Sequence, residues 1–310
     1  MKLKECNCFL LRLVIGMWFS NNGHRPEPTL VLSGGGSMGA LQAGLLRELM
    51  ERGFRPARAV GTSVGALNAA FLAFYPDLGG ANRLVEIWRG LEKERYLTIN
   101  PVRVAYRLAS RQLHLFHNDF LQRLIAEHTV EDDFAATHIP LYVTATNFYT
   151  GRKHVFSTGQ VSQAVLASTA IPGVFGPIEV DGERYLDGGV VANLDLETAV
   201  DLGAKEILAI DLSHCFELPE ARNVTGVITR TVDIVMRERV ERDMAQLSRR
   251  ARITLVQPEV EEGGNVGDLR HVARLIDKGA QLGEEIAARC FDQRGRLRPG
   301  VFRADAVVAV

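Results

Sequence analysis

Hydrophobic residues change their period along this chain, and each change marks an element. Thr29-Leu30-Val31-Leu32-Ser33 is a short apolar run of the kind a buried strand carries, and a helical pattern follows from about Met38 to Arg52. A second short strand over 58–61 leads into another apolar helix, Ala66 to Phe74. Between 81 and 128, Leu84, Ile87, Trp88 and Leu91, then Phe120, Leu121, Leu124 and Ile125, recur at helical spacing, with Asn118 placed to cap the second set. That section offers no strand, so it is expected to cover one side of the site. Ile139 to Asn147 is rich in strand formers, and Tyr149-Thr150-Gly151 turns it into Lys153–Phe156 as a hairpin. A helix over 160–169 stops ahead of Ile171-Pro172-Gly173, and a strand pair flanks the turn dipeptide Asp181-Gly182. Ile207 to Leu212 reads as a buried strand, followed by a long amphipathic helix over 225–248, a strand over 252–257 and a helix over 268–288. Alternating strands and helices predict an α/β fold with a mostly parallel sheet. No internal repeat or interior linker divides it. The expected organisation is an N-terminal extension over 1–28, one catalytic domain over 29–290 and a C-terminal tail over 291–310.

Two strand-to-helix joints carry the candidate chemistry. The first is Gly34-Gly35-Gly36-Ser37-Met38-Gly39, and the second is Gly61-Thr62-Ser63-Val64-Gly65. Gly-x-Ser-x-Gly between a strand and a helix is the nucleophile-elbow pattern, in which a turn too tight for β-carbons leaves the serine Oγ exposed. A glycine-rich turn into a helix presents unpaired backbone N–H groups, which attract negative charge. A nucleophile beside an anion cradle is the apparatus of acyl transfer, so the chain reads as a serine hydrolase. A base must follow Ser63, and Tyr185-Leu186-Asp187-Gly188-Gly189 has the best context, since two glycines after a strand-end aspartate allow a sharp turn.

The same residues admit other readings. Ser63 could be a helix N-cap, and Asp187 a plain turn residue. The glycine triplet could hold a nucleotide phosphate, although the acidic ribose ligand of a dinucleotide fold is missing. Asp211, at the end of the strand before Leu212, is the rival base but lacks the paired glycines. His214 tempts a triad reading, with His154 and His271 behind it; a lone histidine more often serves the structure.

Composition adds a few exclusions. With 46% hydrophobic and 24% charged residues in 310, the chain has ordinary globular composition and ample length for a core. A formal net charge of −1 argues against nucleic acid as a partner. Cys6, Cys8, Cys215 and Cys290 form neither a disulfide framework nor a zinc pattern, which favours reduced thiols and a cytoplasmic setting. Near the start, Lys2 and Lys4 precede an apolar stretch from Phe9 to Phe19, broken by Arg12 and short of the ~20 residues a spanning helix needs. This extension is read as dispensable, as a peripheral membrane anchor, or as a signal sequence, the last weakened by the absence of a clear cleavage site. Pro26-Glu27-Pro28 is a stiff lead into the first strand.

The three motifs in this order, with Ala167-Ser168-Thr169-Ala170-Ile171-Pro172-Gly173-Val174-Phe175 ahead of the aspartate loop, resemble the patatin-like phospholipases over about residues 29–212. The resemblance implies a three-layer α/β sandwich and a Ser-Asp dyad acting on fatty acyl esters of phospholipid, lysophospholipid or glyceride. Asp187 would take the Ser63 proton, and the loop of Gly34, Gly35, Gly36 and Ser37 would form the oxyanion hole. Gly39, Gly61, Gly65, Gly188 and Gly189 are the motif glycines. Neither a cofactor nor a metal is required. Two alternatives remain open: an acyltransferase using the same dyad, and a dormant lipid-binding scaffold. One departure stands out, because family members usually carry Arg or Lys where this chain has Met38, which puts phospholipid preference in question. Ser33 also stands where plant relatives have Asp.

Overall fold

A computed structural model of the chain describes residues 28–94, 119–128, 131–215, 224–259, 269–293 and 295–305. The N-terminal extension, with Cys6, Cys8 and the Phe9–Phe19 stretch, lies outside these residues, as does the Asn118 cap.

The strands are β1 (Thr29–Leu32), β2 (Arg58–Thr62), β3 (Leu141–Asn147), β4 (Lys153–Phe156), β5 (Ile178–Val180), β6 (Glu183–Asp187), β7 (Glu206–Ile210), β8 (Arg252–Glu259) and β9 (Gly300–Asp305). They form one sheet in the order β5-β6-β3-β2-β1-β7-β8-β9, with β4 pairing separately to β3. The run from β3 to β9 is parallel throughout, whereas β4, β5 and β6 join by antiparallel pairing at one end.

The strands' period of two builds the layers. Leu30, Leu32, Leu208 and Ile210 enter one apolar cluster, while their alternates Val31, Ile207 and Ala209 enter another on the opposite face. The first cluster is filled by α1 (Gly39–Glu51), α2 (Val64–Phe74), α3 (Leu78–Glu94), α4 (Asp119–His128), α5 (Val161–Ser168) and α9 (Val272–Cys290). The second receives α7 (Leu196–Asp201) and α8 (Val224–Leu247), with the short α6 (Gly189–Ala192) leading toward them. Helices thus cover both faces of a mostly parallel sheet, and the fold is the expected three-layer α/β sandwich.

Two expectations need adjustment. The segment set apart as a C-terminal tail contributes β9, in which Val301 and Phe302 register against Leu255 and Val256. It extends the parallel sheet, so the backbone of β8 is paired on both sides. The long helix is amphipathic only in its second half, where Val240 and Leu247, seven positions apart, share a buried face. In its first half Val227, Ile228, Val232, Ile234 and Val235 are exposed, so the pattern there is not a core stripe. The Asp181-Gly182 turn is of the mirror-image type that suits a twisted hairpin, with φ of 50° and 80° at its two residues. Among the described residues, no helix is long and apolar enough to cross a membrane.

Candidate active site

Strand register brings the candidate residues together. Thr62, the last residue of β2, registers with Thr144 on β3, and Asp187, the last of β6, registers with the next residue, Ala145. Ser63 and Asp187 therefore flank the same point of β3 from opposite sides, at an interstrand spacing of ~4.8 Å on each side. That gap is short enough for two side chains to bridge.

Ser63 sits between β2 and α2 with φ 54° and ψ −127°, a conformation that is costly for a residue with a β-carbon. The turn is held by its surroundings. The Ser63 carbonyl accepts the N–H groups of Ala66 (2.9 Å) and Leu67 (3.2 Å), and its own N–H donates to Ser168 Oγ at 2.8 Å. A β-carbon on Gly65 would lie 2.4 Å from the Leu32 carbonyl oxygen and 2.5 Å from that of Ser33. The helix after the nucleophile thus presses directly on the end of β1, and only glycine permits it. On the other side, a β-carbon at Gly61 would meet the Gly65 carbonyl oxygen at 2.5 Å.

Asp187 completes the pair. Ser63 Oγ donates to Asp187 Oδ2 at 2.6 Å, and the Gly189 N–H donates to Oδ1 at 2.7 Å. The main chain is fixed as well: the Asp187 N–H donates to the Ala170 carbonyl at 2.9 Å, and its carbonyl accepts from Thr146 Oγ1 at 2.8 Å. Only 6% of Asp187 is exposed. Burial pushes its pKa up to about 6, with the Ser63 and Gly189 hydrogen bonds pulling the other way. A carboxylate of that basicity, bonded to a serine hydroxyl, is poised to accept its proton near neutral pH.

The glycine loop passes against this pair. A β-carbon on Gly34 would stand 3.0 Å from Ser63 Cβ and 2.5 Å from Asn193 Oδ1. The Gly34 N–H itself donates to the Asn193 carbonyl at 3.1 Å, so it is already spent and departs from the oxyanion role expected of it. Gly34 contributes instead the close approach of the loop to the nucleophile. Gly35 and Gly36 make no N–H hydrogen bond among the described residues, and Gly36 has φ 53°. Ser33 anchors the loop: its Oγ accepts from the Leu212 N–H at 2.8 Å and donates to the Gly34 carbonyl at 2.9 Å. Met38 is 1% exposed within the apolar core, so that position presents no charge to the site.

The competing residues are engaged elsewhere. Asp211 caps the turn at 212–214, where its carboxylate takes the Ser213 N–H and Oγ (3.0 and 2.9 Å) and Gln257 Nε2 (3.1 Å). His214 Nδ1 faces Arg237 Nη1 at 3.4 Å, and burial lowers its pKa. His154 packs edge-on against Phe156 and at a tilt against Tyr185, and His271 precedes α9. None of these is bonded to Ser63. Two residues had no role assigned from sequence, Ser168 and Asn193. The first lay inside the segment ahead of the aspartate loop, and the second carries no local signal beyond following Asp187-Gly188-Gly189. Among the described residues, no group of three or more His, Cys, Asp or Glu is placed to hold a metal ion.

The fold and the site define an α/β protein with a serine–carboxylate pair on an elbow beside a glycine loop. A family model, patatin-like phospholipase, matches residues 30–200, which is more than half of the chain. The chain belongs to the patatin-like phospholipase family. Among curated proteins it is 28% identical over 191 residues to "Lysophospholipase NTE1" of Mycosarcoma maydis, covering 59% of this chain and 9% of that one. It is 31% identical over 191 residues to "Lysophospholipase nte1" of Aspergillus terreus, covering 59% of this chain and 12% of the other. The chain therefore spans a small fraction of the length of these relatives. Among solved structures, that of VipD from Legionella pneumophila aligns with 84% of this chain and 67% of its own, at 16% identity and a TM-score of 0.46.

Proposed function

We propose that the chain is a serine acyl hydrolase that cleaves fatty acyl esters of phospholipid, lysophospholipid or glyceride. The reading is carried by the 2.6 Å hydrogen bond from Ser63 Oγ to Asp187 Oδ2, made beside a glycine loop. Family membership and relatives named as lysophospholipases favour a lipid ester over other acyl donors.

The chemistry proceeds in two halves. Asp187 accepts the Ser63 proton as Oγ attacks the ester carbonyl, and the tetrahedral oxyanion is held by backbone N–H groups. Gly35 and Gly36 supply unpaired donors for it; losing one such donor typically costs 10²–10³ in rate. Asp187 then returns the proton to the leaving alcohol, and Ser63 is left acylated. A water enters, gives its proton to Asp187 and its oxygen to the acyl carbon, and the fatty acid leaves as Ser63 regains the proton. No histidine takes part, because the carboxylate contacts the nucleophile directly instead of orienting an imidazole.

The setting proposed is cytoplasmic, with peripheral contact at a lipid surface supported by the apolar Phe9–Phe19 stretch. Such a short single segment gives marginal, reversible binding. The test of the whole reading is Ser63→Ala, assayed with a fluorophosphonate probe and a short-chain soluble ester. Labelling and hydrolysis should both disappear while the fold persists. Covalent labelling of the alanine variant at the wild-type rate would remove Ser63 as nucleophile.

A further inference from the structure

Ser168, the last residue of α5, is fully buried, and the chemistry above makes no use of it. It touches both strands of the site's backbone. Its Oγ accepts the Ser63 N–H at 2.8 Å and donates to the Thr144 carbonyl at 2.6 Å. Its own carbonyl accepts the N–H of Gly188, the residue after the base, at 3.2 Å. Two residues further on, the Ala170 carbonyl takes the Asp187 N–H at 2.9 Å. One end of one helix thus grips the elbow on one side and the base loop on the other.

A hydroxyl has one hydrogen to donate and two lone pairs. The Ser168 hydrogen is spent on Thr144, so toward Ser63 the oxygen can only accept. It therefore neither donates to an oxyanion nor moves the reacting proton. What it does is satisfy a buried N–H that the left-handed turn at Ser63 has removed from both the sheet and the helix ladder. The anchor beneath it is firm. Thr144 is fixed through its Oγ1 to Asp195 (2.8 Å), and Lys153 Nζ balances that buried carboxylate at 2.9 Å.

We propose that Ser168 is a positioning residue, which locks the strained backbone of Ser63 against the Asp187 loop and so sets the contact between nucleophile and base. This rests on the dyad reading given above. Among the described residues, the groups bonded to the Asp187 carboxylate are the Ser63 hydroxyl and the Gly189 N–H, both neutral. Loosening the Ser63 contact removes one of the two bonds that hold that pKa down. The acidic limb of the activity profile should then move to higher pH.

The experiment compares Ser168→Ala and Ser168→Cys with the parent, alongside Ser63→Ala and Asp187→Asn. The thiol fills a similar space with only a weak acceptor, so it reports even where the alanine variant folds poorly. Competent sites are counted by fluorophosphonate titration, and kcat and KM per site are measured on a short-chain ester across pH. Both Ser168 variants are expected to lose kcat, the alanine by about 10²-fold as for a misplaced reacting group, with KM unchanged and the acidic limb raised. A merely structural role would lower the number of competent sites and leave kcat per site and the limb where they were. That outcome overturns the proposal. If the Ser168 variants match the parent while Ser63→Ala and Asp187→Asn are dead, the positioning role falls and the dyad stands. If the dyad variants remain active, both readings fall.

Discussion

Replacing Asp187 by Asn should cripple the enzyme and stabilise the protein, and the stabilisation should depend on pH in a defined way. Asp187 is 6% exposed, and burial moves its pKa from an ordinary 3.8 to about 6. The folded chain then holds this proton to a higher pH than the unfolded chain does. Between those two values the native state binds more protons, so stability falls as pH rises through the interval and levels off above about 6. The full displacement corresponds to about 3 kcal/mol of stability forgone at neutral pH. Asparagine keeps the shape and has no charge to bury. Its Oδ1 can accept the Gly189 N–H, and its Nδ2 can donate to Ser63 Oγ, so both existing contacts have a counterpart. The variant should therefore be more stable than the parent by up to about 3 kcal/mol at pH 8, with the advantage vanishing below the ordinary carboxylate pKa. Urea unfolding of both proteins across that range, with m-values monitored, measures the difference. Turnover of the variant should fall by about 10²–10⁴, the usual worth of a positioned general base. In the parent, turnover should decline as pH drops through about 6, because the protonated carboxyl cannot accept from Ser63. A stability difference that does not change with pH, or an asparagine variant with near-parental turnover, would refute the reasoning.

Two further predictions concern residues outside the dyad. His214→Ala should retain most of the hydrolytic activity at neutral pH, since the ring faces Arg237 and not Ser63; a kinetic assay showing a dead variant would call for a histidine-based mechanism. Deleting residues 1–27 should leave a soluble protein with parental turnover on a short-chain ester but weaker cosedimentation with phospholipid vesicles; aggregation of the truncated chain would mean that the segment belongs to the core.

Much of the candidate site was legible locally. Gly61 declares the elbow because a β-carbon there would enter the backbone of Gly65 and Ala66, a steric rule local to the turn, whereas Gly65 is required by β1, whose Leu32 and Ser33 carbonyls its β-carbon would strike. The alternation of Leu30 and Leu32 with Val31 is likewise a property of any strand covered on both faces. Ser168 shows the limit: it lies in a family-like segment, but a serine at a helix end has no visible task until the elbow it bonds to, 105 residues away, is beside it.

Local stereochemistry and period determined which segments are strands, where the chain turns sharply, and which serine stands on such a turn. Tertiary structure decided which carboxylate that serine meets. Asp187 ends β6 and Asp211 directly follows β7, yet β6 is hydrogen-bonded to β3 in register with the elbow, whereas β7 lies beyond β1 and Asp211 is taken up by Ser213 and Gln257. The same assembly consumed the Gly34 N–H on Asn193, drew Gly300–Asp305 into the sheet as β9, and closed a bond between residues 124 apart in sequence. Strand order and register depend on how all the apolar faces are buried together, so no short stretch of sequence encodes them, whereas a glycine forced by a close turn is written at its own position.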